Sequence, residues 1–199
     1  MNSKLLFAIL SAFVAIHVAS AFGNVDVFLF SPLAGEDVES PAFLSRVTRG
    51  AGKGNLFKNC CGQRDMPAFT QEDIETKKAC KDEASGNADR KEGFICAMDC
   101  MAKKSGIVDS DGNVDAAKFS EKVQTFYDEQ ELKDKVKDIV PEIVSKANAQ
   151  KGDGACSKAA MIALFKTKAK IELECSESLK KSGEECDKVR EWSKKFDSQ

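Results

Sequence analysis

The feature that most constrains this chain is a set of eight cysteines, spread from residue 60 to residue 186. An even number of cysteines in a secreted chain is typical of a disulfide framework. Eight cysteines allow 105 pairings, so the count alone does not fix the connectivity. We predict four bridges, formed by Cys60, Cys61, Cys80, Cys96, Cys100, Cys156, Cys175 and Cys186.

Residues 1–21 have the three parts of a secretory signal peptide. Lys4 supplies the positive charge, and an apolar stretch follows it through residues 5–16. The small residues at positions 19–21 form a cleavage site, so we expect the mature chain to begin at Phe22. The leader therefore predicts a secreted, extracellular protein.

The composition argues against catalysis and metal binding. The single histidine, His17, lies in the leader, which excludes histidine-based triads and histidine-ligated metal sites from the mature chain. The stretch 109–113 is rich in Asp, Gly and Asn like a calcium loop, but Val114 and Ser120 stand where glycine and glutamate are needed. We expect no enzymatic activity, no cofactor and no metal.

The charge and hydropathy of the chain limit the classes of partner that we expect it to bind. The formal net charge of -2 gives no strong attraction to nucleic acid or to acidic lipid. After the leader, no segment stays apolar for long enough to cross a bilayer. We therefore expect neither a nucleic-acid partner nor membrane insertion.

The mature chain divides into an arm and a helical domain. Prolines and glycines interrupt residues 22–58, which predicts an irregular, partly disordered N-terminal arm. Residues 59–199 carry the apolar periodicity of an all-α domain, which we expect to be a disulfide-stapled bundle of five to seven helices.

Local signals mark where these helices begin and end. Thr70 and Asp115 are suited to N-caps, and Gly106 is suited to ending a helix. Pro141 should kink or split the helix that contains it. The predicted helices cover about 70–84, 90–104, 115–127, 131–149, a stretch starting near 155, and 183–196.

Apolar stripes on three of these helices supply candidate cavity residues. Phe and Met side chains suit the loose recognition of apolar ligands, although such stripes more often fill a core. On the second helix, Cys96 and Cys100 lie four residues apart on one face, so each can clamp a neighbouring helix. The nine candidates are Phe94, Met98, Met101, Phe119, Val123, Phe126, Met161, Leu164 and Phe165.

The run from Cys96 to Asp115 resembles the insect odorant-binding protein family, of the pheromone-binding and general odorant-binding type. In that family a Cys-x-x-x-Cys helix is followed by a Gly-hydrophobic-hydrophobic turn, here at Gly106, and by a short Asp/Gly/Asn loop. The adjacent Cys60 and Cys61 are similar to extra cysteines of its Plus-C subgroup. The resemblance covers about residues 59–186. It implies a helical bundle that forms a cup around an apolar cavity and carries small apolar molecules without catalysis.

The resemblance also implies three core bridges, joining the first cysteine to the third, the second to the fifth and the fourth to the sixth. The first four family cysteines match Cys80, Cys96, Cys100 and Cys156. In one alignment Cys175 and Cys186 are the fifth and sixth, but ten residues separate them where the family typically has eight. In the other, Cys175 is the sixth and Lys166 replaces the fifth.

Both alignments predict the bridge Cys80–Cys100. The first adds Cys96–Cys175, Cys156–Cys186 and a vicinal Cys60–Cys61. The second, which we favour, adds Cys156–Cys175 and leaves Cys96 and Cys186 to pair with Cys60 and Cys61 in an open order.

Two functions are consistent with these features. The first is a secreted carrier that binds odorant-like or pheromone-like molecules, or other lipophiles, with a membrane receptor as a further partner. The alternative is a secreted helical interaction protein, of saliva or reproductive fluid for instance, without a small ligand.

Overall fold

The computed structural model describes residues 57–86 and 90–197. The predicted signal peptide and all but the last two residues of the predicted arm lie outside these ranges. Within them the chain forms six helices and no strand, which confirms the all-α class. The helices are α1 (Gln71–Ala84), α2 (Arg90–Lys104), α3 (Ala116–Gln124), α4 (Gln130–Ala149), α5 (Ala159–Leu173) and α6 (Glu184–Asp197).

The bundle is organised around α5. This helix packs against α2, α4 and α6, whereas α1 packs on α2 and α3 packs on α4. Eleven of its 15 residues are buried, including four alanines whose small side chains let neighbouring helices approach closely. The sequence predicted this central position because the helix is apolar on most faces.

The helix ends follow local chemistry. Thr70 and Asp73 form a reciprocal capping box at the start of α1, and the Asp115 carboxylate accepts from Ala117 N and Lys118 N at the start of α3. Gly106 adopts φ +68°, and Ile107 N donates to Ala102 O at 2.9 Å. Gly106 N also donates to Lys103 O at 2.9 Å. These two bonds close α2 with a Schellman-type turn and confirm that the helix ends at the glycine, as predicted.

Two features of these helices bear on the sequence expectations. Pro141 was expected to kink or split its helix, and α4 is not split: it continues through the exposed Pro141, and Val136, Val140 and Val144 form one buried stripe that runs past it. The fifth helix begins at Ala159, four residues after the expected Ala155. The residues between make long-range contacts outside the helix: Cys156 is bridged to Cys96, and Ser157 Oγ donates to Gly112 O at 2.6 Å.

Candidate ligand-binding site

All eight cysteines are paired, as predicted. Cys80–Cys100 is confirmed and ties α1 to α2. Cys96 bridges to Cys156, just ahead of α5, so the two cysteines four residues apart on α2 do clamp two different neighbours. The other two bridges are Cys60–Cys186 and Cys61–Cys175.

Most of the remaining pairing predictions are wrong. Cys156 does not pair with Cys175 or Cys186, and Cys96 pairs with none of Cys60, Cys61 or Cys175. The vicinal bridge Cys60–Cys61, predicted by the first alignment, is wrong as well. Among the pairs that the favoured set left open, Cys60–Cys186 is correct.

The geometry of the chain explains this pairing. Successive side chains of an extended segment point to opposite sides, and Cys61 forms an isolated antiparallel bridge with Lys180. Cys60 therefore faces Cys186 on α6 while Cys61 faces Cys175, which follows α5. Cys96 reaches Cys156 because α2 packs directly against α5.

The nine candidate cavity residues do not form one group. Phe119 and Val123 belong to a core cluster between α3, α4 and α5, and Phe126 and Leu164 pack against it. We call this the Val140 cluster. Met161 and Phe165 belong to a second cluster, the Phe165 cluster, against which Phe94 and Met98 pack. Met101 is half-buried on α2 and lies in neither cluster.

The Phe165 cluster is dominated by aromatic rings. The Phe165 ring lies 5.7 Å from Trp192, 5.9 Å from Phe196 and 5.8 Å from Phe57, measured between centroids. Trp192 and Phe196 stack at 5.0 Å. Tilted and offset rings at these distances attract one another beyond simple burial. The cluster therefore joins α2, α5 and α6, and it also includes Phe57, which lies ahead of α1 in the chain.

Sequence reasoning missed three of these rings. Val189, Trp192 and Phe196 share one face of α6 at helical spacing, and this stripe was the signal that could have placed both rings in the core. Phe57 was assigned to the arm, and no local signal marks it as a core residue.

Exposure differs sharply within the Phe165 cluster. Met161 and Phe165 are 0% and 1% exposed, so other protein atoms surround them. Phe57, Phe94 and Met98 are half-buried and form an accessible rim. An apolar molecule would meet this rim first, and the central pair could line a cavity only after side chains moved apart.

A buried polar group lies beside the cluster. Lys168 and Glu172 of α5 form an ion pair at 2.9 Å, with side chains 8% and 0% exposed. Glu172 Oε1 also accepts from Cys60 N, and Lys168 Nζ donates to Lys58 O at 2.8 Å.

Burial lowers the pKa of Lys168, against the opposing effect of the Glu172 carboxylate. Burial, and then the charge of Glu172, raises the pKa of Tyr127.

The Asp/Gly/Asn loop is an internal turn. Asp109 Oδ1 accepts from Asp111 N and Asn113 N at 2.9 and 2.8 Å. Lys151 Nζ donates to Asp111 O and to Asn113 Oδ1, so an ammonium group already contacts these oxygens. Across residues 57–86 and 90–197, no three His, Cys, Asp or Glu side chains are grouped to hold a metal ion.

None of the family models matches this chain, and no curated protein or solved structure proves similar to it. Of the helices in the described ranges, none combines the length and the apolar character needed to span a membrane.

Proposed function

We propose that this protein is a secreted carrier that binds small apolar molecules at the Phe165 cluster. The observation that carries the proposal is the accessible rim of Phe57, Phe94 and Met98 on a cluster of stacked and tilted aromatic rings. Aromatic and methionine side chains offer a large apolar contact area that adapts to ligands of different shape.

One bridge supports the resemblance to odorant-binding proteins. Cys80–Cys100 corresponds to the family's bridge from first to third cysteine. Cys96–Cys156 joins the second and fourth family cysteines in both alignments, which is not one of the family's three core bridges. The resemblance therefore supports the proposal through one core bridge of the three.

The proposed extracellular location rests on two supports. Residues 1–21 have the composition of a signal peptide, and the mature chain forms four disulfides. Disulfides persist in oxidising compartments and are rare in the cytosol.

A fluorescent naphthylamine probe tests the proposal. We expect the mature protein to bind the probe with micromolar affinity, which corresponds to about -8 kcal/mol. Met98→Glu places a charge on the accessible rim and should weaken binding about tenfold or more, since a buried carboxylate loses its hydration. Met98→Leu conserves the apolar surface and should bind like the wild type.

The matched control is Ile74→Glu, which puts the same charge on an apolar side chain of α1 that is 44% exposed. It should leave probe binding unchanged, and thermal unfolding followed by circular dichroism should show that all variants are folded. Equal weakening by both glutamates, or no saturable binding by the wild type, would contradict the proposal.

The near-complete burial of Met161 and Phe165 favours a second candidate function, a secreted interaction protein without a small ligand. A cluster whose centre is filled is what a purely structural core requires. The probe experiment separates the two functions, because an interaction protein has no saturable site for it.

A further inference from the structure

Asp99 of α2 is a buried carboxylate with one unpaired oxygen. The residue is 3% exposed. Its Oδ2 accepts from Lys103 Nζ at 2.8 Å, whereas Oδ1 has no hydrogen-bond partner within the described ranges. Because an unpaired buried acceptor is costly, native proteins leave few of them, and each calls for a partner or a function.

The position of Asp99 places it between the two apolar clusters. Ile95, one turn before Asp99, belongs to the Phe165 cluster, and Ala102, three residues after it, belongs to the Val140 cluster. Residues three and four apart share one face of a helix, so these three lie along one buried stripe of α2. Met98, on the accessible rim, immediately precedes Asp99 in the chain.

We propose that Asp99 Oδ1 accepts a hydrogen bond from the hydroxyl group of a bound ligand, so that the carrier selects aliphatic alcohols. This inference rests on the proposed function and adds the ligand class to it. A carboxylate accepts hydrogen bonds and does not donate them. It therefore favours an alcohol over an aldehyde or an ether of equal length, whose oxygen has no proton to offer.

Competition between the naphthylamine probe and four ligands of equal chain length tests the inference. The ligands are decanol, decanal, decyl methyl ether and decane. The wild type should bind decanol about tenfold more tightly than decanal or the ether, a difference of about 1.4 kcal/mol. The comparison with the ether needs no variant, so it does not depend on how a substitution folds.

Two variants assign this preference to Asp99. Asp99→Asn keeps the shape of the side chain but adds a donor, so decanol and decanal should bind within about threefold of each other. Asp99→Leu should lose the preference and retain decane binding. Asp138→Asn, at an exposed position on α4, should retain the tenfold preference.

The possible failures are distinguishable. Equal wild-type affinities for decanol, decanal and the ether would overturn the role of Asp99 and leave the carrier function standing. A tenfold preference that survives in Asp99→Asn and Asp99→Leu would also overturn it. No saturable binding of any of the four ligands would overturn both the inference and the proposed function.

Discussion

At the scale of single residues, the ion pair between Lys168 and Glu172 explains how the 57–65 segment is held. Besides pairing with each other, these side chains bind Lys58 O and Cys60 N. From outside, Lys181 Nζ donates to three backbone carbonyls and to one carboxylate of the same segment. The segment that carries Cys60 and Cys61 is thus held by charges on both sides.

We expect Glu172→Leu to destabilise the fold by about 3–5 kcal/mol, because it leaves the Lys168 charge buried and unpaired. Urea unfolding at neutral pH measures this loss. The double variant Lys168→Met with Glu172→Leu should recover part of it, since an apolar pair carries no uncompensated charge, although Lys58 O and Cys60 N still lose these partners.

Lys146→Met is the matched control, because it breaks an ion pair with Glu142 whose side chains are 69% and 75% exposed. Its unfolding midpoint should equal that of the wild type. If the double variant were as unstable as Glu172→Leu, the lost charge pairing would not be the cause.

At the scale of helices, α1 and α5 depend on different forces. The central helix, α5, is held by burial on three sides. Only Cys80 and Ala84 of α1 are buried, so this helix relies on the Cys80–Cys100 bridge, its capping box and an ion pair of 2.7 Å between Asp73 and Lys122. Substitutions in α1 should therefore act through charge and capping more than through packing.

Asp73 makes the stability of α1 depend on pH. Burial opposes ionisation of Asp73, but hydrogen bonds from Lys122 and Thr70 outweigh it and lower the pKa below its ordinary value of 3.8. A lowered carboxyl pKa gives stability that is present above pH 3.8 and is lost as the pH falls through the folded-state pKa.

Asp73→Asn should cost about 1 kcal/mol at neutral pH, the usual effect of losing a helix cap. In urea unfolding the difference from wild type should shrink as the pH falls below 3.8. Asp82→Asn, on the exposed side of the same helix, should show no such loss. A difference that stays constant with pH would show that Asp73 acts through its shape and not through its charge.

The helices show which parts of the fold the sequence can predict. Thr70, Asp115 and Gly106 act on backbone groups within a few residues, so their patterns place helix ends correctly. The start of α5 was misplaced because Cys156 and Ser157 bind partners 60 and 45 residues away. No local pattern contains such contacts.

At the scale of the whole molecule, the same distinction applies to the bridges and to the site. Cys80–Cys100 spans 20 residues between adjacent helices and was predictable. Cys61–Cys175 spans 114 residues and depends on how the extended segment meets the end of α5. Of the nine candidate residues, four are buried and five are half-buried. Periodicity could not show that eight of them divide between two clusters and that Met101 lies in neither.

The Phe165 cluster contains the chain's single tryptophan, Trp192, which is 3% exposed. Its fluorescence therefore reports directly on the proposed site. A bromine atom quenches tryptophan fluorescence only at short range, so a brominated decanol seated in the cluster should quench Trp192. Decanol without bromine serves as the control for changes in protein conformation.

This quenching titration is the most direct test of the carrier function. We expect saturable quenching by bromodecanol in the micromolar range, with the same midpoint as its displacement of the naphthylamine probe, and weaker quenching in Met98→Glu. Quenching that rises linearly without saturation, or no quenching while the probe is displaced, would contradict binding at the Phe165 cluster.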